Sequence, residues 1–318
     1  MVLTPNDYAP VFIPTLCRYE HFRRCVESLS RCTGAVHTKL IVGLDYPLKE
    51  NHWDGYRKIS AYIETITGFK EVEVLRREVN YGAVKNGREA RKYIYKTYDR
   101  YIISEDDNEF SPNFLEYINK GLILFRDDPK YVAVCGYWYN FDSGVKDANA
   151  FWATGYSAWG FGLWRSKPFP HERYSANEYM GSVLGSWSKS LKLFMKAPKE
   201  LNSLITMFTR NLIWGDVLIC ADCIIEGKGS IFPTISKVRN WGDDGSGLHC
   251  IHDEGLSNQV IDENSHFDFD EVALKSSLVY FSPHKLSFYI KILILLRYIC
   301  LRVIRVDILS WHYKDRKA

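Results

Sequence analysis

Three consecutive carboxylates, Glu105, Asp106 and Asp107, directly follow the apolar run 101–104. Like charges this close repel one another, so such a group persists where a cation or a set of hydrogen-bond donors neutralises it. A hard divalent ion is commonly held by one or two carboxylates and completes its shell with phosphate oxygens and water. The triplet therefore predicts a Mg²⁺ or Mn²⁺ site that also takes a phosphorylated ligand. The alternative is a solvated acidic turn that leads into the helix expected after Pro112.

Short apolar runs alternate with amphipathic stretches through the first half of the chain. The pattern predicts strands at 11–15, 40–44, 72–75, 101–104 and 131–135, and helices at 19–32, 56–67, 83–96 and after Pro112. Such alternation is typical of an α/β fold with an open, mostly parallel sheet flanked by helices. Ligands of these sheets bind beyond the carboxyl ends of the strands, which is where the acidic triplet is expected.

The second half of the chain is less regular. A patch rich in Gly and Trp at 152–164 precedes helical segments at 177–208 and 213–226, and 242–247 is expected to be a loop. Because no repeat or low-complexity linker interrupts this part, we expect one continuous two-part domain. Its nucleotide-binding half would be 1–135 and its acceptor-binding half 136–252, followed by a C-terminal extension at 253–318.

The extension contains an apolar stretch, 283–309, that is interrupted by basic residues. In a helix, one side would carry Phe288, Ile292, Leu295, Ile299 and Val303, and the opposite side Lys291, Arg297, Arg302 and Arg305. The charge-free runs are far shorter than the ~20 residues that a spanning helix needs. The pattern predicts an amphipathic helix lying in a membrane interface. The alternative is a helix that caps the core or an oligomer interface.

Charge and cysteine content narrow the class of protein. From position 285 onward eight residues are basic and two are acidic, while the whole chain has a formal charge of +3. The remainder is therefore net negative and gives no indication of nucleic-acid binding, whereas the basic tail suits an anionic membrane. The eight cysteines are scattered, and the first residues lack the pattern of a signal peptide. We therefore expect a cytoplasmic protein with reduced thiols.

Three segments in the same order resemble known glycosyltransferases. Val11–Tyr19, followed by Cys25–Leu29, resembles the opening of family 2 glycosyltransferases, and Asn80–Asn86 resembles their Asn-x-Gly-loop-Asn segment. Glu105–Tyr117 resembles the acidic motif of the N-acetylglucosaminyltransferase I family, family 13. Both families have the GT-A fold, an α/β sheet that binds nucleotide-diphospho-sugars. The resemblance covers about residues 10–165 and continues less evenly to about 252.

The resemblance implies a set of nucleotide-sugar-binding residues. Thr15, Arg18 and Tyr19 match the positions that hold the nucleotide base and phosphates, and Asp45 matches the acid that contacts base or ribose. The residues that match the segment lining the nucleoside are Asn80, Gly82 and Asn86. For Asp45 and Asn80, simple turn formation after a strand is the alternative.

The resemblance also implies the roles of the acidic triplet. Asp107 corresponds to the direct metal ligand, with Asp106 and Glu105 nearer the ribose and the donor sugar. The triplet departs from the Asp-x-Asp pattern because its first member is Glu105. Some GT-A enzymes close a C-terminal loop over the diphosphate, sometimes with a histidine on the metal, and His249 is the candidate for that ligand.

An inverting transfer needs a base that takes the acceptor's proton. The family places an acid for this purpose at a helix start, and Asp216 matches it, with Asp222 as the second candidate. An ordinary helix-start acid, favoured by the helix dipole, is the alternative for Asp216. The resemblance places 152–164 under the donor and acceptor sugars, while a glycine-rich loop packed on core tryptophans is the alternative.

A second metal site is conceivable from cysteine spacing. Cys220 and Cys223, with Cys250 and His252, have residue types that suit structural zinc. However, the first two lie in an apolar helical pattern, which favours buried thiols.

Together these features predict an inverting, metal-dependent hexosyl- or N-acetylhexosaminyltransferase. The expected donor is a UDP-sugar, and the expected acceptor is a saccharide or lipid-linked saccharide in bacterial surface polysaccharide synthesis. The enzyme would lie on the inner face of the membrane. A sugar-phosphate nucleotidyltransferase is less consistent, because its glycine-rich, lysine-containing loop is replaced here by Leu16–Tyr19. A non-catalytic carbohydrate-binding module would not need the carboxylate triplet.

Overall fold

The computed structural model describes residues 1–139, 143–169, 175–245, 257–270, 272–279 and 286–308. The chain forms two compact units. Unit 1 comprises 1–152, 157–167 and 231–274, and unit 2 comprises 153–156, 168–230 and 275–318.

Unit 1 is built on a parallel sheet of four strands: β1 (Val11–Thr15), β2 (Lys39–Leu44), β3 (Glu71–Val74) and β4 (Arg100–Ile103). β1 pairs in parallel with β2 on one side and with β4 on the other, and β2 pairs in parallel with β3. β1 and β2 are apolar along almost their whole length and are buried. Such continuous apolar runs occur where helices cover both faces of a parallel sheet.

The connections between these strands are helical: α1 (Tyr19–Ser30), α2 (Trp53–Ile63) and α3 (Gly82–Ile94). Each helix buries one apolar stripe. In α1 this stripe contains Phe22, Cys25 and Leu29, which recur at helical spacing and are fully buried. Because β1 to β4 are parallel, their carboxyl ends lie at the same edge of the sheet.

The remaining strands extend this sheet or form a separate ribbon. They are β5 (Asn108–Phe110), β6 (Tyr131–Cys135), β7 (Ala150–Thr154), β8 (Phe161–Trp164), β9 (Gly229–Pro233), β10 (Val238–Asn240) and β11 (Val272–Val279), with α4 (Phe114–Leu124) between β5 and β6. The large sheet has the order β11-β7-β9-β6-β8-β4-β1-β2-β3, and β10 and β5 form a separate antiparallel ribbon. Antiparallel pairing begins at β8, which lies between β4 and β6.

The predicted α/β class, with an open sheet and flanking helices, is confirmed. The patch at 152–164 contributes the end of β7 and all of β8, which the sequence pattern did not predict as strands. β5, β9, β10 and β11 were also not predicted. β5 and β10 are only three residues long, too short for a periodic pattern to emerge.

Unit 2 is mainly helical in the part that the structure describes. Its helices are α5 (Ala176–Leu184), α6 (Trp187–Lys196), α7 (Pro198–Arg210), α8 (Gly215–Glu226) and α9 (Phe288–Ile304). Their apolar faces share one core, which includes Met180, Leu193, Leu204, Leu218 and, from α9, Ile294. Ser175 begins α5 with a reciprocal capping box to Glu178. No helix in the described residues is long and apolar enough to cross a membrane.

The C-terminal helix α9 corrects one expectation. Arg297 was predicted on an outward basic side, but it is fully buried. Its Nε and Nη2 donate to the two carboxylate oxygens of Asp307, both at 2.7 Å. Its Nη1 donates to Asn202 Oδ1 at 2.6 Å and to Thr206 Oγ1 at 2.9 Å, both on α7. This network neutralises the guanidinium, so Arg297 lies on the side of α9 that packs in unit 2, together with Ile294 and Tyr298.

Candidate functional site

The strand order reverses at β1. The chain runs outward from β1 through β2 to β3 and then places β4 on the other side of β1. In open α/β sheets, ligands bind in the crevice beyond the carboxyl ends of the strands at this reversal. Thr15 ends β1 at this edge, and the acidic triplet begins two residues after the end of β4.

At this point Arg18 bridges two buried carboxylates. Its Nη1 lies 2.9 Å from Asp107 Oδ2, and its Nη2 donates to Asp106 Oδ1. Thr15 Oγ1 donates to Asp106 Oδ2 at 2.9 Å. Asp106 and Asp107 are 6% and 5% exposed, which is rare for carboxylates unless they are paired. Four predicted residues therefore form one group, which we call the acid pair with its Arg18 clamp.

Opposing effects act on the ionisation of this group. Burial raises the pKa of Asp106, Arg18 lowers it, and Asp107 raises it, with a net upward shift. Burial lowers the pKa of Arg18, but Asp106 and Asp107 raise it more, so the guanidinium remains charged. A second positive charge beside the pair would favour both ionised carboxylates.

The β5–β10 ribbon closes the other side of Asp107. Asn240 Nδ2 donates to Asp107 Oδ1 at 2.8 Å, and the backbone N–H of Trp241 donates to the carbonyl oxygen of Asp107 at 2.8 Å. A Cβ atom added at Gly242 would clash with Asp107 Oδ2. The sequence pattern predicted a loop at 242–247 and no strand at 238–240, so Asn240 was not predicted. The three residues of 238–240 show no periodic pattern from which β10 could be recognised.

Further side chains support this ribbon from α1. His21 Nε2 lies 3.2 Å from the carbonyl oxygen of Trp241 and 3.2 Å from Asp244 Oδ2. The guanidinium of Arg24 lies 4.3 Å from the centre of the Trp241 ring, and the indole N–H donates to Glu109 Oε2 at 2.8 Å. Segment 240–244 is therefore held against the start of α1, next to Arg18. His21 was not predicted, because nothing in its sequence surroundings links it to a segment more than 200 positions away.

The residues of the acid pair suit a divalent cation such as Mn²⁺ or Mg²⁺. Both carboxylates are hard oxygen ligands, and Asp107 Oδ2 can take its position because Gly242 has no side chain that would clash with it. No group of three or more His, Cys, Asp or Glu side chains arranged to hold a metal occurs in the described residues. A cation bound here would therefore take its remaining ligands from phosphate and water, as Mg²⁺ commonly does.

A second predicted group lies at the end of β2. Asp45 accepts three backbone bonds: its Oδ1 from the N–H groups of Tyr46 and Tyr81, and its Oδ2 from Gly82, at 2.8–2.9 Å. Asn80 Nδ2 donates to the carbonyl oxygen of Tyr46. Gly82 has φ +67°, which favours glycine and starts α3 with a sharp turn. Asp45 thus fixes the path of the chain into α3.

Asn86 belongs to the same group and is 1% exposed. Its Nδ2 donates to the carbonyl oxygen of Gly43, and its Oδ1 accepts from Arg77 Nε, both at 2.9 Å. The group connects to the acid pair through the backbone, because the N–H of Asp45 donates to the carbonyl oxygen of Thr15 at 2.9 Å. The Tyr81 ring beside it carries the Lys85 ammonium at 3.9 Å from its centre, a cation–π contact not predicted from sequence.

Tyr19 and Glu105 differ from the other members of the set. The Tyr19 ring packs edge-on against Tyr62 of α2, 6.0 Å between centres. Glu105 is solvent-exposed at the edge of the site, and its side chain hydrogen-bonds to Trp159 in the patch at 152–164. The Trp159 ring in turn lies edge-on to Tyr137 with centres 4.6 Å apart.

The two base candidates lie in unit 2. Asp216 is exposed in the first turn of α8, where no side chain caps the helix. Asp222, further along α8, is half-buried and raises the pKa of Tyr179 together with burial, the larger cause. Glu200 of α7 is buried, and burial together with Asp216 raises its pKa to about 7.

The remaining predictions concern 246–256, which lies outside the described residues. His249, Cys250 and His252 all fall in this range. Cys220 and Cys223 are buried thiols in α8, as the apolar pattern indicated.

Chemically, the site offers two adjacent buried carboxylates, an arginine and a helix start at one crevice. This combination suits a cation together with the phosphates of a nucleotide.

Comparisons with known proteins give only distant similarities. No protein-family model matches the chain, and no curated protein matches it. The chain is similar to the solved mannosyltransferase PcManGT from Pyrobaculum calidifontis, in complex with GDP-Man and Mn²⁺, with a TM-score of 0.42 and 13% identity, covering 69% of each chain.

Two further solved structures are similar over smaller parts. For residues 1–349 of S. aureus TarS the TM-score is 0.30 with 10% identity, covering 46% of this chain and 35% of that one. For mouse xyloside xylosyltransferase 1 the TM-score is 0.25 with 14% identity, covering 41% of this chain and 52% of that one. Similarities at this level do not assign a family or an activity to the chain.

Proposed function

We propose that the protein is an inverting, metal-dependent glycosyltransferase that uses a nucleotide-diphospho-sugar. The observation that carries the proposal is the acid pair with its Arg18 clamp at the reversal of strand order. Two carboxylates are buried there, at 6% and 5% exposure, beside a single arginine. One guanidinium balances only one of the two negative charges, so a bound cation would balance the second. A crevice at this point in the sheet is where such sheets bind nucleotides.

In the proposal, Asp107 and Asp106 would hold Mn²⁺ or Mg²⁺. When bound, the cation would neutralise the diphosphate that leaves with the nucleotide. Arg18 already pairs with the carboxylates, and its guanidinium would also interact with the phosphates. Asn240 and Trp241 orient Asp107, because they donate to its side-chain and backbone oxygens respectively. Rigid orientation of a ligand in this way supports metal affinity.

The donor would be a UDP-sugar carrying a hexose or an N-acetylhexosamine. Its nucleoside would lie along the group at the end of β2. Asp45 and Asn86 form hydrogen bonds with backbone groups between residues 43 and 82. They would therefore shape the side of the site where the nucleoside lies, and would not contact the base directly. Tyr81 and Lys85 offer an aromatic face with a cation at its edge, which suits an anionic nucleotide.

Asp216 would take the proton from the acceptor hydroxyl. Its side chain is exposed in the first turn of α8, so an acceptor can reach it. Asp222 is the weaker candidate because it is half-buried near Tyr179. Glu105, next to Trp159, would contact the donor sugar from the edge of the site.

The setting in the proposal is bacterial surface polysaccharide synthesis on a saccharide or lipid-linked saccharide acceptor. The protein would act in the cytoplasm on the inner face of the membrane, attached through α9. Support comes from the outward apolar side of this helix, where Phe288 is 79% and Val303 65% exposed.

The deciding experiment is the variant Asp107→Asn. Sugar transfer should be abolished, and the Mn²⁺-dependent part of UDP binding, measured by calorimetry, should be lost. Asp54→Asn is the matched control, because this carboxylate is 72% exposed on α2 and outside the site. Unchanged transfer by a well-folded Asp107→Asn protein would falsify the metal assignment. Release of pyrophosphate from UTP and a sugar 1-phosphate, with no UDP released from a UDP-sugar, would identify a nucleotidyltransferase. UDP-sugar binding without turnover would identify a binding module.

A second pair of variants tests the base. Asp216→Asn should lower transfer by ~10²–10⁴-fold while leaving donor binding nearly unchanged, because a general base acts on the acceptor. Asp222→Asn is the matched control on the same helix. An inactive Asp222→Asn beside an active Asp216→Asn would reverse the assignment. Full rates in both would place the base elsewhere or indicate a retaining transfer.

A further inference from the structure

Helix α6 carries an apolar stripe that faces solvent. Trp187, Leu191 and Met195 recur at helical spacing and are 52%, 49% and 69% exposed. The opposite side of the helix, with Ser190 and Leu193, is fully buried in unit 2. α6 therefore has apolar residues on both faces, although a surface helix ordinarily places polar residues on its outer face.

The outer side of α9 continues this surface. Its exposed apolar residues are Phe288 at 79%, Ile292 at 39%, Leu296 at 45% and Val303 at 65%. The two helices are neighbours, because the Trp187 ring lies edge-on to Tyr298 with centres 5.3 Å apart. Arg302 Nη2 also donates to the carbonyl oxygen of Gly185, just before α6, at 2.7 Å. We call the outer sides of α6 and α9 together the two-helix surface.

Charge indicates what would cover the two-helix surface. Neither helix contains an Asp or a Glu, and both contain lysines. Lys196 and Lys291 are exposed, as is Arg305 directly after α9. A second copy of this chain would bring two basic surfaces together and suffer repulsion. An apolar surface of this size with a basic rim fits a membrane whose headgroups are anionic.

We propose that the two-helix surface docks on an anionic lipid bilayer, with Trp187, Leu191 and Met195 entering the interface beside α9. This extends the membrane attachment proposed above, which rests on α9 alone, and it is independent of glycosyl transfer. α6 lies in the middle of the chain, so the contact is built into the folded unit. The aromatic ring of Trp187 suits the headgroup region, where amphipathic rings accumulate.

The test is co-sedimentation of the full-length protein with vesicles of phosphatidylcholine and phosphatidylglycerol. The triple variant Trp187→Ser, Leu191→Ser, Met195→Ser should bind at least ~10-fold more weakly, because interfacial binding scales with the apolar area that enters the boundary. Its fold should persist, since the three side chains are largely exposed, and circular dichroism and the thermal midpoint check this. The matched control replaces the exposed residues Val2, Val36 and Val260 of unit 1 by serine and should bind like the wild type.

Three outcomes would overturn the proposal. If the folded triple variant binds vesicles as tightly as the wild type, α6 does not contribute to the docking surface. If the wild type binds pure phosphatidylcholine vesicles as tightly as vesicles that contain phosphatidylglycerol, attraction to anionic headgroups does not drive the docking. Binding that is insensitive to salt would lead to the same conclusion. A wild type that ignores vesicles but forms a dimer in ultracentrifugation, which the triple variant does not form, would identify a second copy as the occupant. Transfer to a water-soluble acceptor, measured in parallel, shows separately whether the proposed activity holds.

Discussion

Replacing Glu200 by glutamine tests whether unit 2 carries a buried carboxyl that weakens the protein at neutral pH. Glu200 lies in the first turn of α7 and is 4% exposed. Burial, and to a lesser extent the negative charge of Asp216, raise its pKa from 4.5 to about 7. Glutamine keeps the shape of the side chain and removes the charge, so the variant isolates the electrostatic cost.

The magnitude follows from linkage between protonation and folding. An acid whose pKa is higher in the folded state keeps its proton longer there, so stability falls as pH rises through the interval between the two pKa values. The interval runs from 4.5 to about 7. At 1.36 kcal/mol per pKa unit, the full cost is about 3 kcal/mol, and it is present above the upper value and absent below the lower one.

We therefore expect Glu200→Gln to exceed the wild type in free energy of unfolding by about 3 kcal/mol near pH 8, and by little near pH 5. Urea unfolding at the two pH values measures this difference. Glu226→Gln, which removes an exposed carboxylate from α8, controls for the loss of one negative charge. The reasoning is refuted if the gain is the same at both pH values, or if Glu200→Gln is the less stable protein near pH 8.

Two further predictions concern other packed positions. A methyl group at Gly242 would clash with Asp107 Oδ2, so Gly242→Ala should weaken Mn²⁺-dependent UDP binding in calorimetry, whereas Gly87→Ala, where an added Cβ meets open space, should not. Asp307→Ala removes the carboxylate that neutralises the buried Arg297, so the free energy of unfolding measured in urea should fall by ~3–5 kcal/mol. Replacing both partners by leucine should restore much of that loss, and a double variant as unstable as the single one would contradict the argument.

The fold and half of the site were predictable because the signals are local. The apolar runs of β1, β2 and β4 lie within single segments, and the acidic triplet directly follows β4 in the sequence. Parallel strands bring their carboxyl ends to one edge, so the neighbourhood of Thr15 and Asp106 follows from the strand pattern alone. The pairing of Arg18 with both carboxylates, rather than with phosphate alone, does not follow from it.

The rest depends on contacts between distant segments. Asn240 contacts Asp107 only because β10 pairs with β5. Three residues are too few to show a periodic pattern from which this pairing could be predicted. The side of α9 that faces the core was mispredicted for a similar reason. A basic residue is expected at the surface of the protein. Arg297 is buried instead, because Asp307 neutralises its charge and two polar residues of α7 accept hydrogen bonds from it. Such compensation is invisible in the sequence of the helix itself.

The β5–β10 ribbon has a consequence for how the protein is made. Asp107 receives its second set of donors from residues 133 positions later, at Asn240, so closing this loop is slow relative to forming the neighbouring helices. On a ribosome the parallel strands and the Arg18 clamp are available while the ribbon is still missing. At that stage Arg18 contacts Asp107, but Asn240 does not yet. A chain that stops before β10 would contain the crevice of the sheet but would lack Asn240, so synthesis of the first half alone cannot give the site in which Asp107 is held from both sides.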